Sequence, residues 1–332
     1  MVSENVTITR EDFYHEGSLH ISNNVCRTPA TIPDSLVDQV GSAVNQWCQH
    51  VDLERETYVA KNYGIPSFLV RVDCTVDTNG MLRVFEIEEP PAGASMTSRI
   101  SPQFASLLAS AQERWPKFKA FVSPKKRFSD VALWLGRADV DYSGLLWCVI
   151  RPEEADEFSH LIPRSVTPIR KEGDKTPLSK VFNETKVGSV DDLLGQVSLE
   201  HRIVFKPAQG TRAHGVTVWW PDAGKPKDAI NQEERLRRVL ESKGINCWIA
   251  QPFYSPRPVN ELHPSLEEYA KYWYIYRIYC AYSLRSEAYY PIGGVSNWLN
   301  SKAYSIVHGR DSAVFSPAIL TESRAEQISS SF

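Results

Sequence analysis

The dipeptide Asn79-Gly80 lies between two segments in which apolar and polar residues alternate, and this pattern limits the possible folds more than any other. An Asn-Gly pair flanked by alternating segments is the strongest short-range signal for a β-hairpin. The sequence therefore predicts two antiparallel strands over residues 66–88. How these strands pair decides which of their charged side chains meet.

If Asn79-Gly80 forms a two-residue turn, the register of the hairpin follows directly. Asp73 then lies opposite Glu86, and Arg71 lies opposite Glu88. All four side chains project from one face because side chains alternate along a strand. A four-residue loop shifts the pairing by two positions and keeps the charges on that face, whereas a shift of one position would bury them.

The opposite face of the hairpin carries Val72, Cys74, Phe85 and Ile87, which predicts that it packs on a core. On the charged face, carboxylates that lie opposite one another repel. A cation between them removes the repulsion, and hard oxygen ligands suit Mg²⁺. The alternative is an ordinary solvated face whose arginine and glutamate form a surface ion pair, contributing about 0–1 kcal/mol.

A second segment with a possible anion site spans residues 203–218. Its first predicted strand ends in Lys206, and Gly210 and Gly215 follow. Glycine permits close backbone approach, and backbone N–H groups in such a loop can cradle phosphates. The alternative is a hairpin loop with an exposed lysine.

Two further polar residues lie in apolar or aromatic segments. Gln251 lies near the end of an apolar strand, whose backbone can pair with an adenine edge or can simply be buried. Arg277 lies among aromatic residues in a predicted strand. We expect this arginine to find an anionic partner or to extend to solvent.

Together, these segments resemble the ATP-grasp superfamily, whose members activate carboxylates as acyl phosphates. In the usual arrangement the lysine and glycine loop precedes the acidic metal motif, whereas here the acidic motif comes first. This circularly permuted order resembles that of glutathionylspermidine synthase and eukaryotic glutathione synthetase. The resemblance extends in patches over residues 66–316.

The resemblance implies the metal ligands and the lysine loop. In those synthetases an Arg-x-Asp strand and a Glu-x-Asn strand hold the metals. Arg71 and Asp73 match the first strand and Glu86 the second, while Glu88 replaces the asparagine and keeps an oxygen ligand. The Lys-Pro-x-x-Gly loop of the family matches residues 206–210.

The resemblance also implies nucleotide contacts. The earlier nucleotide-binding lysine of the family matches Lys186, with Lys180 as the alternative, and Gln251 matches a glutamine near the adenine. The strand that contains this glutamine ends at Phe253, which completes the predicted nucleotide-binding residues. Gly215 belongs to the same predicted set because it closes the lysine loop.

One family feature is absent from the sequence. The synthetases have an arginine soon after a Gly-Gly pair, where it stabilises the transferred phosphoryl group. No arginine follows Gly293-Gly294 in the corresponding stretch, so Lys302 and Arg277 are the candidates to replace it.

The resemblance implies an ATP- and Mg²⁺-dependent ligase that joins a small-molecule or peptide carboxylate to an amine. The carboxylate attacks the γ-phosphate, ADP leaves, and the amine attacks an acyl phosphate that Arg71 steadies. We expect Asp73→Asn or Glu86→Gln to abolish ATP turnover and to leave the fold intact. A phosphotransferase and a non-catalytic nucleotide-binding protein are the alternatives, and the oligomeric state is open.

Composition narrows the classes of partner. The chain has 332 residues, of which 42 % are hydrophobic and 23 % charged, and its net charge is −3. This is ordinary globular composition and argues against a nucleic-acid or anionic-membrane partner. No apolar run reaches the roughly 20 residues that span a bilayer. With no leader pattern at its N-terminus, the chain is expected to be cytoplasmic.

The order of predicted elements indicates an α+β fold. Helices are predicted over residues 34–51, 102–121 and 228–243. They alternate with strands too irregularly for a doubly wound sheet. The further predicted strands are residues 131–135, 145–150, 203–206, 216–220, 247–253, 272–282 and 288–295.

The resemblance makes this an ATP-grasp fold with permuted motif order, and three segments are predicted. Residues 1–160 carry the acidic hairpin. Residues 161–262 form the lysine and glycine-loop subdomain, and residues 263–332 supply strands that complete the core and the substrate pocket.

Overall fold

The computed structural model describes residues 5–8, 23–26, 28–51, 68–77, 79–88, 91, 93–113, 120–122, 147–149, 175–209, 215–221, 229–262, 272–300 and 314–332. Over these residues the chain is a mixed α+β protein, as predicted. It divides into a larger unit, Met1–Arg170 with Pro256–Phe332, and a smaller unit, Lys171–Ser255, inserted in the sequence of the larger one. The segment boundaries drawn from the sequence stay predictions.

The strands and helices are numbered separately in chain order. The strands are β1 (Asn5–Ile8), β2 (Asn23–Cys26), β3 (Ala30–Thr31), β4 (Leu69–Val76), β5 (Leu82–Glu88), β6 (Ala120–Val122), β7 (Trp147–Val149), β8 (Lys186–Gly188), β9 (Ile203–Pro207), β10 (Thr217–Trp219), β11 (Trp248–Pro252), β12 (Arg257–Pro258), β13 (Tyr272–Ser283), β14 (Ala288–Asn300) and β15 (Val314–Ile319). The helices are α1 (Asp34–Val51), α2 (Ala94–Ile100), α3 (Pro102–Glu113), α4 (Leu178–Val181), α5 (Val190–Leu194), α6 (Ala229–Glu241), α7 (Val259–Leu262) and α8 (Glu322–Ser331).

The larger unit is built on a nine-stranded sheet in the order β1-β2-β15-β14-β13-β4-β5, with β12 paired to β13 and β3 paired to β15. The pairs are antiparallel except those of β15 with β2 and β3. Strands β4 and β13 are buried over almost their whole length. A near-continuous buried run shows that both faces of these two interior strands are covered.

Helices α1 and α3 lie on opposite faces of this sheet. On one face, a methyl group added to Gly41 of α1 would lie 3.4 Å from Pro291, which pairs with Cys280. On the other face, Phe104 of α3 has its ring centroid 5.1 Å from that of Tyr279. Because Tyr279 and Cys280 are adjacent on β13, their side chains point to opposite faces.

Two side-chain amides join helices of the larger unit to neighbouring backbone. Asn45 of α1 donates from Nδ2 to the carbonyl of Tyr289 at 3.1 Å and accepts from its N–H at 2.8 Å. Gln103 of α3 makes the same pair of bonds with Leu320, at 3.0 and 2.8 Å. Each amide bonds to both the N–H and the carbonyl of one residue, as a neighbouring strand would, and so holds its helix against the sheet.

Two of the three predicted helices differ from the observed ones at their ends. Helix α1 has the predicted bounds, and α6 lies inside its predicted range. Helix α3 is described over Pro102–Glu113, and Ala120–Val122, where the helix was predicted to end, instead form β6, which pairs in parallel with β7. Predicted strand 131–135 lies outside the described residues.

The smaller unit contains a four-stranded antiparallel sheet in the order β10-β9-β11-β8. Helices α5 and α6 contribute to a separate hydrophobic core on one face of this sheet. The buried members of that core are Val190, Leu193, Leu194, Ile203, Phe205, Trp219, Leu236, Leu240, Trp248 and Ala250. None of the helices that the structure describes is long and apolar enough to cross a membrane.

Candidate functional site

Strands β4 and β5 form the predicted hairpin, but the predicted two-residue turn is wrong. Asp77 donates its N–H to the carbonyl of Met81 at 3.0 Å, which leaves three residues between them. Gly80 has φ +78°, the left-handed conformation that closes a three-residue hairpin loop. Next to the turn, Val76 therefore faces Leu82, one position out of the predicted register.

A β-bulge restores the predicted register at the charged residues. The pairing shifts by one position between Cys74–Val84 and Asp73–Glu86, so that Phe85 is the extra residue on β5. Phe85 is consequently half-buried and not on the core face, where it was predicted. The one-residue shift that the longer turn introduces and the one-residue shift at the bulge cancel each other.

Beyond the bulge, Asp73 faces Glu86 and Arg71 faces Glu88, as the sequence predicted. Helix α1 also holds the hairpin in position. Gln39 of α1 accepts a hydrogen bond from the backbone N–H that follows the turn, at 2.8 Å. The position of the acidic strand therefore depends on helix α1 as well as on the turn itself.

The charged side chains of β4, β5 and β13 form a cluster, called here the charged cluster: Arg71, Asp73, Glu86, Glu88 and Arg277. Arg71 donates to Asp73 through Nε at 2.7 Å and Nη2 at 3.1 Å. The same Nη2 lies 2.7 Å from Oε2 of Glu88. Arg277 pairs with Asp73 across β13 and β4, with its Nε 3.6 Å from Oδ2 of Asp73. Arg277 thus has the anionic neighbour that the sequence required.

Burial distinguishes this cluster from a solvated hairpin face. Arg71, Asp73 and Arg277 are 2 %, 6 % and 4 % exposed. The side chain of Glu88 is 22 % exposed, so the cluster reaches solvent at β5. The Arg71–Glu88 contact is therefore not the surface ion pair that the sequence left open.

Burial and charge act in opposite directions on the ionisation of the cluster. Burial lowers the pKa of Arg277 below its ordinary value, although Asp73 opposes this. Burial also disfavours the charged form of Arg71, but Asp73 and Glu88 more than offset it and raise its pKa. Burial raises the pKa of Glu88 to about 7, in spite of Arg71, and Glu86 adds to the rise.

The predicted Mg²⁺ ligands fit a cation shared with phosphate oxygens. Asp73 and Glu86 face each other, and Mg²⁺ is commonly held by one or two carboxylates plus phosphates. Within the described ranges, no group of three His, Cys, Asp or Glu side chains could hold a metal ion by itself. When Glu88 is ionised, the charged cluster has three carboxylates and two guanidinium groups, and this excess of negative charge favours an added cation.

Tyr279 belongs to the same face of the sheet and was missed in the sequence. It pairs with Arg71 across β13 and β4 and is 1 % exposed. A methyl group added to Gly93 would lie 3.2 Å from the Tyr279 hydroxyl. The signal was present, because Tyr279 lies two residues from Arg277 and therefore projects from the same face of a strand.

In the smaller unit, Lys206, Gln251 and Thr185 form a chain of side-chain hydrogen bonds, called here the polar line. Lys206 donates from Nζ to Oε1 of Gln251 at 2.9 Å, and Nε2 of Gln251 donates to Thr185 at 3.2 Å. Gln251 is buried and holds the lysine in place. The two residues predicted to bind nucleotide from neighbouring strands are therefore in direct contact.

Lys186 lies on the other face of this small sheet. It pairs with Ala250, whereas Lys206 pairs with Ile249, the next residue on β11. Neighbouring residues of a strand project to opposite faces, and so do the residues paired with them. Lys186 donates from Nζ to the carbonyl of Asn183 at 2.7 Å.

Phe253 is held by residues of its own unit. Its ring centroid lies 5.2 Å from that of Trp220, and its N–H donates to the carbonyl of Arg202 at 2.9 Å. The guanidinium carbon of Arg202 lies 4.0 Å from the centroid of the Trp220 ring. The backbone N–H of Phe253, a candidate adenine contact, is thus already bonded within the protein.

The glycine loop is described only in part. Gly215 has φ +81°, and a methyl group there would lie 2.8 Å from Cγ of Pro207, so the close return of the chain requires glycine. Gly210 and Lys302 lie outside the described residues. A buried lysine that was not predicted, Lys175, donates its N–H to the carbonyl of Ala208 at 2.9 Å and so lies beside the end of β9.

Comparison with known proteins adds no assignment. A scan against protein-family models finds no family that matches the chain. A search of curated proteins finds no match either. The charged cluster and the polar line of the smaller unit are therefore the observations from which a function can be inferred.

Proposed function

We propose that the chain is an ATP- and Mg²⁺-dependent carboxylate–amine ligase of the ATP-grasp type with permuted motif order. The charged cluster is the observation that carries this proposal. It places buried guanidinium and carboxylate groups on adjacent strands of the large sheet. Burying such charges costs several kcal/mol per ion, and apolar residues of similar volume are often more stabilising. Clusters of this kind are typical of functional sites.

The reaction has two balanced steps. A substrate carboxylate oxygen attacks the γ-phosphorus of ATP, and ADP leaves with the bonding electrons. The amine nitrogen then attacks the acyl carbon and forms a C–N bond. The C–O bond to phosphate breaks, and phosphate leaves with the electron pair and accepts the proton that the amine loses. Positioning and electrostatics supply most of the catalysis, so no protein nucleophile is needed.

Residues of the larger unit bind the metal ion and the acyl phosphate. Asp73 and Glu86, with Glu88 beside them, hold Mg²⁺, which when bound neutralises phosphate charge. Arg71 provides a guanidinium for the acyl phosphate. Its contact with Glu88, at the exposed side of the cluster, supports this role.

Arg277 replaces the arginine that the family has after its Gly-Gly pair. Val295, the residue directly after Gly293-Gly294, pairs with Arg277 across β14 and β13. A guanidinium therefore stands in the neighbouring strand, beside the position where the family supplies one. This arrangement supports Arg277 as a residue that stabilises the transferred phosphoryl group, and Lys302 stays the alternative.

In the smaller unit, the resemblance implies that Lys206 and Gln251 bind the nucleotide. Lys206 supplies a cation whose position is fixed by Gln251. Lys175 is a second candidate because it is buried beside the end of the same strand. Lys186 remains in the proposal as the residue that the resemblance implies, and Lys180 in α4 remains its alternative.

Glu86→Gln tests the metal role. Glu86 is half-buried, and glutamine keeps its shape while removing the charge. We expect Mg²⁺–ATP-dependent ADP release to fall by at least about a hundredfold, as for loss of a group that stabilises transition-state charge. ADP release is screened over amino acids, small peptides and amines, with mass detection of the coupled product. Glu326→Gln, in α8, is the control.

Asp73→Asn is the weaker test, which corrects the expectation that both variants leave the fold intact. Asp73 accepts two bonds from Arg71 and lies beside Arg277, so its neutralisation removes the carboxylate charge that faces two buried guanidinium groups and costs about 3–5 kcal/mol. Unchanged ADP release by Glu86→Gln would remove Glu86 from the metal site. A phosphorylated acceptor without amide would establish the phosphotransferase, and ATP binding without turnover would establish the non-catalytic alternative.

A further inference from the structure

Among the described residues of the large sheet, two buried side-chain oxygens have no hydrogen-bond partner. Thr75 and Asn297 are 0 % and 1 % exposed. In the part of the chain that the structure describes, Oγ1 of Thr75 and Oδ1 of Asn297 form no hydrogen bond. Native proteins leave few buried polar atoms unsatisfied, because each one costs free energy. A bound ligand is one reason to keep them.

Both oxygens lie on the sheet face that carries the charged cluster. Thr75 follows Asp73 by two residues on β4, so their side chains share a face. On β14, Asn297 is two residues from Val295, which pairs with Arg277. The two oxygens therefore lie roughly 7 Å along the strands from the cluster.

Thr75, Ile275 and Asn297 are neighbours in one row of the sheet, which continues to Arg83 on β5 and Phe315 on β15. Ile275 pairs with Asn297, and the pairing of the adjacent residues Cys74 and Tyr276 extends the row to Thr75. Ile275, which lies between the two oxygens, is uncharged, and Arg83 on the far side of Thr75 forms an ion pair with Asp77 at 2.8 Å. The two oxygens are separated by two strand spacings, roughly 10 Å.

The chemistry of these atoms specifies the ligand. The oxygen of an asparagine amide can only accept a hydrogen bond, so the group that it binds must be a donor. A neutral primary amine attacks through its lone pair and keeps N–H hydrogens for such an acceptor. We propose that Asn297 binds the amino group of the amine co-substrate and that Thr75 accepts a second hydrogen bond from the same molecule. This assignment rests on the proposed function and adds the residues that recognise its second substrate.

Asn297→Leu and Thr75→Val test this assignment in the full chain. Both variants keep the heavy-atom skeleton and remove the unsatisfied oxygen. Without ligand, we expect the melting temperature of each variant to equal or exceed that of the unmodified protein, because an apolar atom carries no unmet hydrogen bond. Asn45→Leu is the matched control. It should lower the melting temperature, because Asn45 bonds to both backbone groups of Tyr289.

Ligand recognition is measured as thermal stabilisation by glycinamide in the presence of Mg²⁺ and the β,γ-imido analogue of ATP. We expect glycinamide to stabilise the unmodified protein and tetramethylammonium, which has no N–H, to have no effect. Asn297→Leu should raise the glycinamide concentration at half-maximal stabilisation about tenfold, as for loss of one hydrogen bond. Thr75→Val should raise it in the same direction.

Three results would overturn the assignment. They are a lower melting temperature of ligand-free Asn297→Leu, unchanged stabilisation of that variant by glycinamide, and no stabilisation of the unmodified protein by glycinamide. Failure of the proposed function is separable from these results. In that case, glycinamide still stabilises the protein in a way that depends on Asn297, but the protein releases no ADP with any pair of substrates.

Discussion

At Glu88, two effects act on one carboxyl group. Burial favours the neutral form, while Nη2 of Arg71 at 2.7 Å favours the ionised form. The outcome is a pKa of about 7, well above the 4.5 of an ordinary glutamate. Asparagine, which the resembling synthetases have at this position, does not titrate. Glu88 therefore makes the stability of this protein depend on pH near neutrality.

The sign of that dependence follows from proton binding. Between pH 4.5 and about 7, the folded state binds more protons at Glu88 than the unfolded state does. The free energy of unfolding therefore falls as pH rises through this window, by up to about 3 kcal/mol. Glu88→Gln should show a smaller fall. Urea unfolding of both proteins across the window gives the difference, and a difference that does not change with pH would show that Glu88 does not titrate there.

Strand alternation predicted the shared face of Arg71, Asp73, Glu86 and Glu88, and these residues are together. The same rule applied to β13 would also have predicted Tyr279 next to Arg277. The burial of the cluster could not be predicted, because it depends on strand β13, which is distant in sequence from the hairpin. A hairpin that is solvated and one that lies inside a sheet have the same local pattern.

At the scale of the element, the hairpin shows why turn and register must be considered separately. Its turn is one residue longer than predicted, and the bulge at Phe85 compensates. Leu82, Val84 and Ile87 are all buried, although an odd number of positions separates the last two. A regular strand cannot place all three on one face, so this apolar spacing was a readable signal for the bulge.

Strand pairing beside Arg277 depends on a glycine. A methyl group added to Gly294 would lie 1.9 Å from the carbonyl oxygen of Arg277, a contact that β13 and β14 can relieve only by separating. We expect Gly294→Ala to lower the free energy of unfolding by at least about 3 kcal/mol, measured by urea denaturation. Gly195→Ala is the control. Its added methyl meets nothing closer than 3.7 Å, so its effect should lie within about 0.5 kcal/mol.

At the scale of the whole molecule, the chain folds into two units with separate sheets. The smaller unit, Lys171–Ser255, has its own hydrophobic core between a four-stranded sheet and helices α5 and α6. The α+β class was predictable from the order of the elements. The nine-stranded sheet was not, because β15 joins β2 and β3 in parallel, and no local pattern specifies a partner so far along the chain.

The separate core predicts that residues 171–255 fold without the rest of the chain. We expect the isolated segment to give dispersed amide resonances and a single cooperative unfolding transition. Leu193→Ala in the fragment serves as the comparison, because Leu193 is fully buried in this core and its truncation should cost about 2–5 kcal/mol. A fragment without dispersed resonances would show that its core is not sufficient for stability.

The insertion of the smaller unit has a consequence for biosynthesis. Asp73 and Arg277 are neighbours in the sheet, yet they leave the ribosome roughly two hundred residues apart, and pairing at such separation is slow. The nascent hairpin therefore emerges with its carboxylates in water and without the guanidinium of β13. The smaller unit, whose contacts are more local, is synthesised in the interval. The charged cluster is expected to be among the last parts of the chain to assemble, so truncated translation products lack it.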